Sequence, residues 1–167
     1  MQEAIGLIEP LFGDPSRTRA RAAAGLKALA ARSEVDPARI ASIGFCFGGT
    51  MSLELARSGA ALKAVAGFHS GLGTNAPKTD AKAIKARILV CIGADDPMIL
   101  PEQRAAFEAE MREPGADWQM HLYRGTVHSF TNQEAGKRNM PDAIRYDAEA
   151  DTRSWAALRE LFSETLG

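Results

Sequence analysis

Gly44-Phe45-Cys46-Phe47-Gly48-Gly49 sets a thiol between glycines in the spacing G-x-nucleophile-x-G. A nucleophile presented this way sits on a tight turn, where side chains two residues away would strike neighbouring backbone. Gly44 and Gly48 are expected to remove those side chains. A helix starting after the thiol would lower the pKa of Cys46 and aim the Phe47 N–H at a developing oxyanion. A plain glycine-rich turn holding an inert cysteine would share the pattern, so the partners decide. An acid stands in Gly93-Ala94-Asp95-Asp96-Pro97 and a base in Arg124-Gly125-Thr126-Val127-His128. In that constellation His128 takes the thiol proton and later activates water, while the carboxylate fixes its tautomer and stabilises the imidazolium. The first product is an acyl-thioester. The spacing Gly93-x-x-Asp96 puts Asp96 past a tight turn and makes it the expected acid. Asp95 is the alternative, and is otherwise a solvated turn residue. His69 follows an apolar run and is expected to line the site without being the base. His121 lies within a strand pattern and Cys91 reads as a small core hydrophobe.

Other uses of a reactive cysteine fail on spacing. A tyrosine-phosphatase-like loop needs arginine six residues after the cysteine, where this chain has Ser52. A class I glutamine amidotransferase expects an acid two residues after its histidine, where Phe130 stands. No closely spaced His or Cys pair suggests zinc, and no Lys-Ser or Lys-Thr follows the glycines to bind nucleotide. A thiol redox sensor would want a resolving cysteine, and Cys91 sits in a buried strand pattern.

Residues this far apart in sequence need a scaffold that gathers them. Asp14-Pro15 opens a helix that fades near Ser33. Arg39–Phe45, Leu62–Phe68, Arg87–Gly93 and Trp118–Tyr123 read as strands. Helices are expected from about Gly49 to Ser58, from Pro101 to Arg112 before Pro114-Gly115, and from Asp147 to Leu166. The last of these should have one face marked by Trp155, Leu158 and Phe162. Strands alternating with helices predict a parallel sheet with its site at the carboxyl ends of the strands. The 167 residues suit one domain over 1–167, and the 46% apolar and 25% charged content is ordinary for a globular chain. A net charge of −1 gives no reason to expect nucleic acid or an anionic membrane. No apolar run is long enough to span a bilayer. Met1-Gln2-Glu3-Ala4 lacks an export pattern, and two dissimilar cysteines suggest no disulfide, so a reduced cytoplasmic setting is expected.

Nucleophile, acid and base follow in the order Cys46, Asp96, His128, each past a different strand, which is the α/β-hydrolase order. From about Val35 onward the chain resembles the dienelactone hydrolases, members of that fold class that use cysteine. The resemblance rests on Gly-Phe-Cys-Phe-Gly-Gly, Gly-Ala-Asp-Asp-Pro and Val-His-Ser-Phe, with Tyr146–Asp151 and Ser154-Trp155 as the closing segment. It implies a three-layer α/β-hydrolase fold hydrolysing small esters or lactones with neither a metal nor an organic cofactor, with Cys46, Asp96 and His128 catalytic and Phe47 N–H as half of the oxyanion hole. His69, Ser129, Phe130 and Asn132 are expected to contact substrate, and Thr131 and Gly136–Pro141 to border the pocket. Dienelactone-cleaving members carry an arginine four residues after the histidine. Asn132 replaces it here and removes a charge-assisted anchor, so a neutral or differently shaped ester is expected. The family's N-terminal strands, with a second oxyanion donor, have no counterpart in this sequence. The chain is therefore expected to be part of a longer fold. Its first strand should be a bare sheet edge open to self-association, and an inactive fragment or binding pseudoenzyme is the alternative reading.

Overall fold

The computed structural model describes residues 2–112 and 116–167; the Pro114-Gly115 turn lies outside them. The chain runs α1 (Gln2–Phe12), α2 (Pro15–Ala30), β1 (Ala41–Phe45), α3 (Phe47–Arg57), β2 (Ala64–Phe68), β3 (Arg87–Gly93), α4 (Pro101–Met111), β4 (Asp117–Tyr123) and α5 (Ala148–Leu166). Short 3-10 helices, Lys78–Ala83 and Ala135–Arg138, interrupt two connections. The four strands form one sheet in the order β1-β2-β3-β4, every pair parallel.

Alternation along the strands builds two cores. Val65, Ile88, Val90 and Ile92 face Leu53, Leu55, Phe107 and Met111, so α3 and α4 cover that side, with Ala22 and Leu26 of α2 packed on it. Ala64, Ala66, Phe68, Leu89 and Cys91 face Ala150, Leu158 and Leu161 of α5. The result is three layers, helix on sheet on helix. β2 is buried along its whole length, whereas β1 is a partly exposed edge, with Ile43 41% and Phe45 37% accessible. An apolar hollow of about 270 Å³ lies beside that edge, between α2 and β1, lined in part by Leu26, Leu29, Ile40 and Met51.

Charge ties the helical layer together. Buried Arg57 donates to Glu110 at 2.7 and 2.8 Å, to Glu54 at 3.0 Å and to the Leu72 carbonyl at 2.8 Å. Arg19 of α2 reaches Glu54 at 2.8 Å and Asp80 at 2.7 Å. Removing one partner would leave a buried charge unpaired, which makes the network a geometric constraint on α3.

Several expected boundaries move. α1 is an element that the sequence pattern does not announce, and it holds Pro10, a residue that ordinarily breaks a helix. α2 ends at Ala30 rather than near Ser33, and α3 begins at Phe47, two residues earlier than expected. β1 and β2 start later than their apolar runs, after the Lys63 N–H donates to the Ile40 carbonyl at 2.8 Å. Trp155 is not on the buried face of α5; that face is Ala150, Ser154, Leu158 and Leu161, and Trp155 stands at the rim beside Phe45 and Phe68. Among the described residues, no helix is long and apolar enough to cross a membrane.

Candidate active site

β1 ends at Phe45 and α3 begins at Phe47, so Cys46 alone makes the turn. It does so at φ 52°, ψ −124°, a conformation costly for a residue with a β-carbon. Its N–H donates to the Phe68 carbonyl at 3.0 Å, and its own carbonyl accepts from Gly49 N–H at 3.1 Å. A β-carbon on Gly44 would lie 2.2 Å from the Gly48 carbonyl carbon, and one on Gly49 would lie 1.8 Å from Ser70 Oγ. At Gly48 it would meet nothing within 4 Å. The glycines that the turn requires are therefore Gly44 and Gly49. The expectation for Gly48 is corrected, because its α-carbon already belongs to the first turn of α3 and points into open space.

The acid stands beyond β3. Gly93 permits a close approach, since a β-carbon there would sit 2.3 Å from the Thr126 carbonyl oxygen. Asp96 follows, buried, with Oδ1 accepting from Met98 N–H at 2.8 Å. Arg104 steadies the same turn by donating to the Ala94 carbonyl at 3.0 Å. Asp95 is exposed and gives only its main-chain N–H, to the Thr126 carbonyl at 3.1 Å. Beyond β4, His128 is clamped in the main chain by Ala143 and Arg145 through hydrogen bonds of 3.0 and 3.1 Å. Its Nδ1 meets Asp96 Oδ2 at 2.8 Å.

The thiol of Cys46 is exposed and interacts with His128, and a hydrogen bond between them is the main cause lowering the cysteine's pKa. Burial opposes that effect, and the Phe47 N–H adds to it. The Phe47 N–H at the helix terminus is thus a smaller influence than His128. Burial pulls His128 down, but hydrogen bonds to Asp96 and Cys46 outweigh it and raise the imidazole from 6.5 to about 9. The arrangement favours a thiolate beside an imidazolium, held by a buried carboxylate.

A raised folded-state pKa has a defined sign in stability. The His128 pairing contributes fully below its ordinary value of 6.5 and is lost as pH rises through about 9. Thermal melts taken across that interval should fall in temperature for the native chain and stay flatter for Asp96→Asn. A native profile that is flat, or equally steep in the variant, would show that the pairing does not hold in solution.

The sequence of the Dienelactone hydrolase family model matches residues 2–166. The chain belongs to the dienelactone hydrolase family. It is 32% identical over 155 residues to the uncharacterized protein K02A2.1 of Caenorhabditis elegans, covering 89% of this chain and 94% of that one. It is 31% identical over 116 residues to a probable 2-oxo-3-(5-oxofuran-2-ylidene)propanoate lactonase of Bradyrhizobium sp, covering 64% of this chain and 46% of the lactonase. A solved structure, the dienelactone hydrolase-like promiscuous phosphotriesterase P91 from metagenomic libraries, superposes with a TM-score of 0.90 at 44% identity, over 97% of this chain and 67% of that one. The fold is that of the α/β-hydrolases, of which this chain carries four parallel strands.

Of the residues that this family resemblance pointed to, His69 is buried beside His128, with ring centroids 4.8 Å apart. Ser129 is half-buried at φ 59°, and Asn132 is exposed with Oδ1 accepting from Glu134 N–H at 2.9 Å. Phe130 is corrected: it is fully buried against Tyr123 and His69, within the α5-side core, and supports the site from beneath instead of meeting a ligand. Thr131, expected only at the pocket border, bonds His69 directly. Cys46, His69 and Ser129 are three of the four non-glycine residues with positive φ among the described residues. Such strain gathers where side chains must be aimed. Among the described residues, no cluster of His, Cys, Asp or Glu could hold a metal ion.

Proposed function

We propose that this chain hydrolyses small carboxylic esters or lactones, with Cys46 as nucleophile, His128 as base and Asp96 as orienting acid. The observation that carries the reading is the chain of contacts from buried Asp96 through His128, at 2.8 Å, to the exposed, acidified thiol of Cys46. The thiolate attacks the acyl carbon, the Phe47 N–H donates to the oxyanion, and the leaving oxygen takes its proton from His128. Water activated by neutral His128 then cleaves the thioester and regenerates the thiol. No guanidinium stands at Asn132, which favours an uncharged ester over dienelactone. A thiol nucleophile suits a reducing compartment, so a cytoplasmic setting goes with this reading.

Mixing the chain with p-nitrophenyl acetate should release about one equivalent of nitrophenol in a burst. Mass spectrometry of the quenched protein should find one acetyl group on the Cys46 peptide. An acetyl group on another residue, or none, would remove the reading.

A second reading rests on the share of its relatives that the chain spans, 67% of the phosphotriesterase and 46% of the lactonase. In it the chain keeps the fold without turnover and associates through the bare β1 edge, where Ile43 and Phe45 are exposed. Gel filtration at rising concentration, run beside the burst assay, separates the two: association without a burst supports this second reading.

A further inference from the structure

His69 and Thr131 make a polar contact that the catalytic steps above do not use. His69 Nε2 lies 3.1 Å from Thr131 Oγ1, while Nδ1 is buried without a hydrogen-bond partner. Burial and the neighbouring His128 push His69 down to about 3, so its ring is neutral. A neutral imidazole carries one N–H, and a buried N–H without an acceptor costs more than a bare ring nitrogen. The proton therefore belongs on Nε2, and His69 donates to Thr131 Oγ1. That leaves the threonine's own O–H free to donate, and Thr131 has no other hydrogen-bond partner among the described residues.

Position tells which part of a substrate this hydroxyl meets. Thr131 lies three residues beyond His128 on the same loop, and its partner ring is 4.8 Å from that of His128. The base side of the site serves the leaving oxygen, whereas the Phe47 N–H serves the acyl oxygen. His69 is held at φ 40° between Phe68 and Ser70, with its N–H donating to the Cys91 carbonyl at 2.8 Å, so the donor pair is fixed in the scaffold.

We infer that Thr131, oriented by His69, donates a hydrogen bond to the alcohol-side oxygen of the bound ester or lactone, the oxygen that leaves when His128 protonates it. Thr131 is then a specificity residue and His69 a positioning residue. The inference rests on the hydrolase reading above, and it supplies an anchor that needs no charge on the substrate.

The test compares δ-valerolactone, followed by pH-stat, with p-nitrophenyl acetate, whose nitrophenolate leaves unaided. Thr131→Val is expected to lower kcat/KM for the lactone about tenfold and to lower that for the nitrophenyl ester by a clearly smaller factor. Thr131→Ser should restore lactone turnover. His69→Gln, which keeps an N–H near the Nε2 position, should retain more of it than His69→Asn, although asparagine tolerates positive φ better. Equal losses on both substrates, or an unchanged lactone rate in Thr131→Val, would overturn the inference alone. A native chain without a Cys46-dependent burst would overturn it together with the hydrolase reading.

Discussion

Cys46→Ala is expected to abolish the nitrophenol burst and to cut turnover of p-nitrophenyl acetate roughly 10³-fold or more. The argument is that no other group in the site can replace the thiol. Asp96 is buried and accepts from both His128 and the Met98 N–H. Cys91 is buried in β3 and its thiol is pushed up to about 12, chiefly by burial, so it offers no thiolate near neutral pH. What remains in the variant is water activated by His128, with the Phe47 N–H still available to an oxyanion, and that route forms no acyl-enzyme. The alanine also removes a hydrogen bond that holds His128 protonated, so its pKa should fall toward that of an ordinary histidine. Stopped-flow release of nitrophenol measures both amplitude and steady rate. A variant that kept the burst would place the nucleophile elsewhere.

Most of the scaffold was legible because its signals are local. β3 is a run of β-branched and aliphatic residues buried on both faces, and its apolar pattern has the same bounds as the observed strand, Arg87–Gly93. Asp14-Pro15 and Asp147 announced helix starts, and both aspartates accept hydrogen bonds from main-chain N–H groups in the first turns of their helices. The juxtaposition of Cys46, Asp96 and His128 followed from strand order alone. Parallel strands bring their carboxyl ends to one side, and each of the three residues stands just past a strand.

The sequence pattern failed where a side chain's role depends on what lies across the fold. Gly48 and Gly49 are interchangeable in a pattern, yet only Gly49 faces Ser70, a residue from the end of β2. Phe130 follows His128 closely like a lining residue, but its ring turns inward because Tyr123 and His69 form a core beneath His128. The link between His69 and Thr131 spans 62 positions and has no local signature. The same holds for Arg57, which would ordinarily read as a surface charge in the last turn of α3. It is buried because Glu54, Glu110 and the Leu72 carbonyl surround it.

Gly44→Ala is expected to destabilise the chain by about 3–5 kcal/mol, while Gly48→Ala should change stability by less than about 0.5 kcal/mol. Both substitutions add the same methyl group within one motif, so their difference isolates the geometry of the turn. At Gly44 the new carbon would sit 2.2 Å from both the carbonyl carbon and the carbonyl oxygen of Gly48, and 2.4 Å from the Gly49 nitrogen. All three are backbone atoms, and no rotamer change can move them aside. Relief requires α3 to shift away from β1, which would pull at the charge network around Arg57 and open the turn that sets Cys46 at φ 52°. At Gly48 the methyl meets nothing within 4 Å, and alanine's helix propensity offsets any small cost. For a chain of this size the Gly44 variant should melt roughly 6–20 °C lower. Its cysteine should also lose the acidity that the Phe47 N–H and His128 confer, seen as slower iodoacetamide alkylation at neutral pH. Equal melting temperatures for the two variants would mean that β1 and α3 are not packed as tightly as these contacts require. The strain at Cys46 would then be an unforced feature of the turn rather than the consequence of close packing.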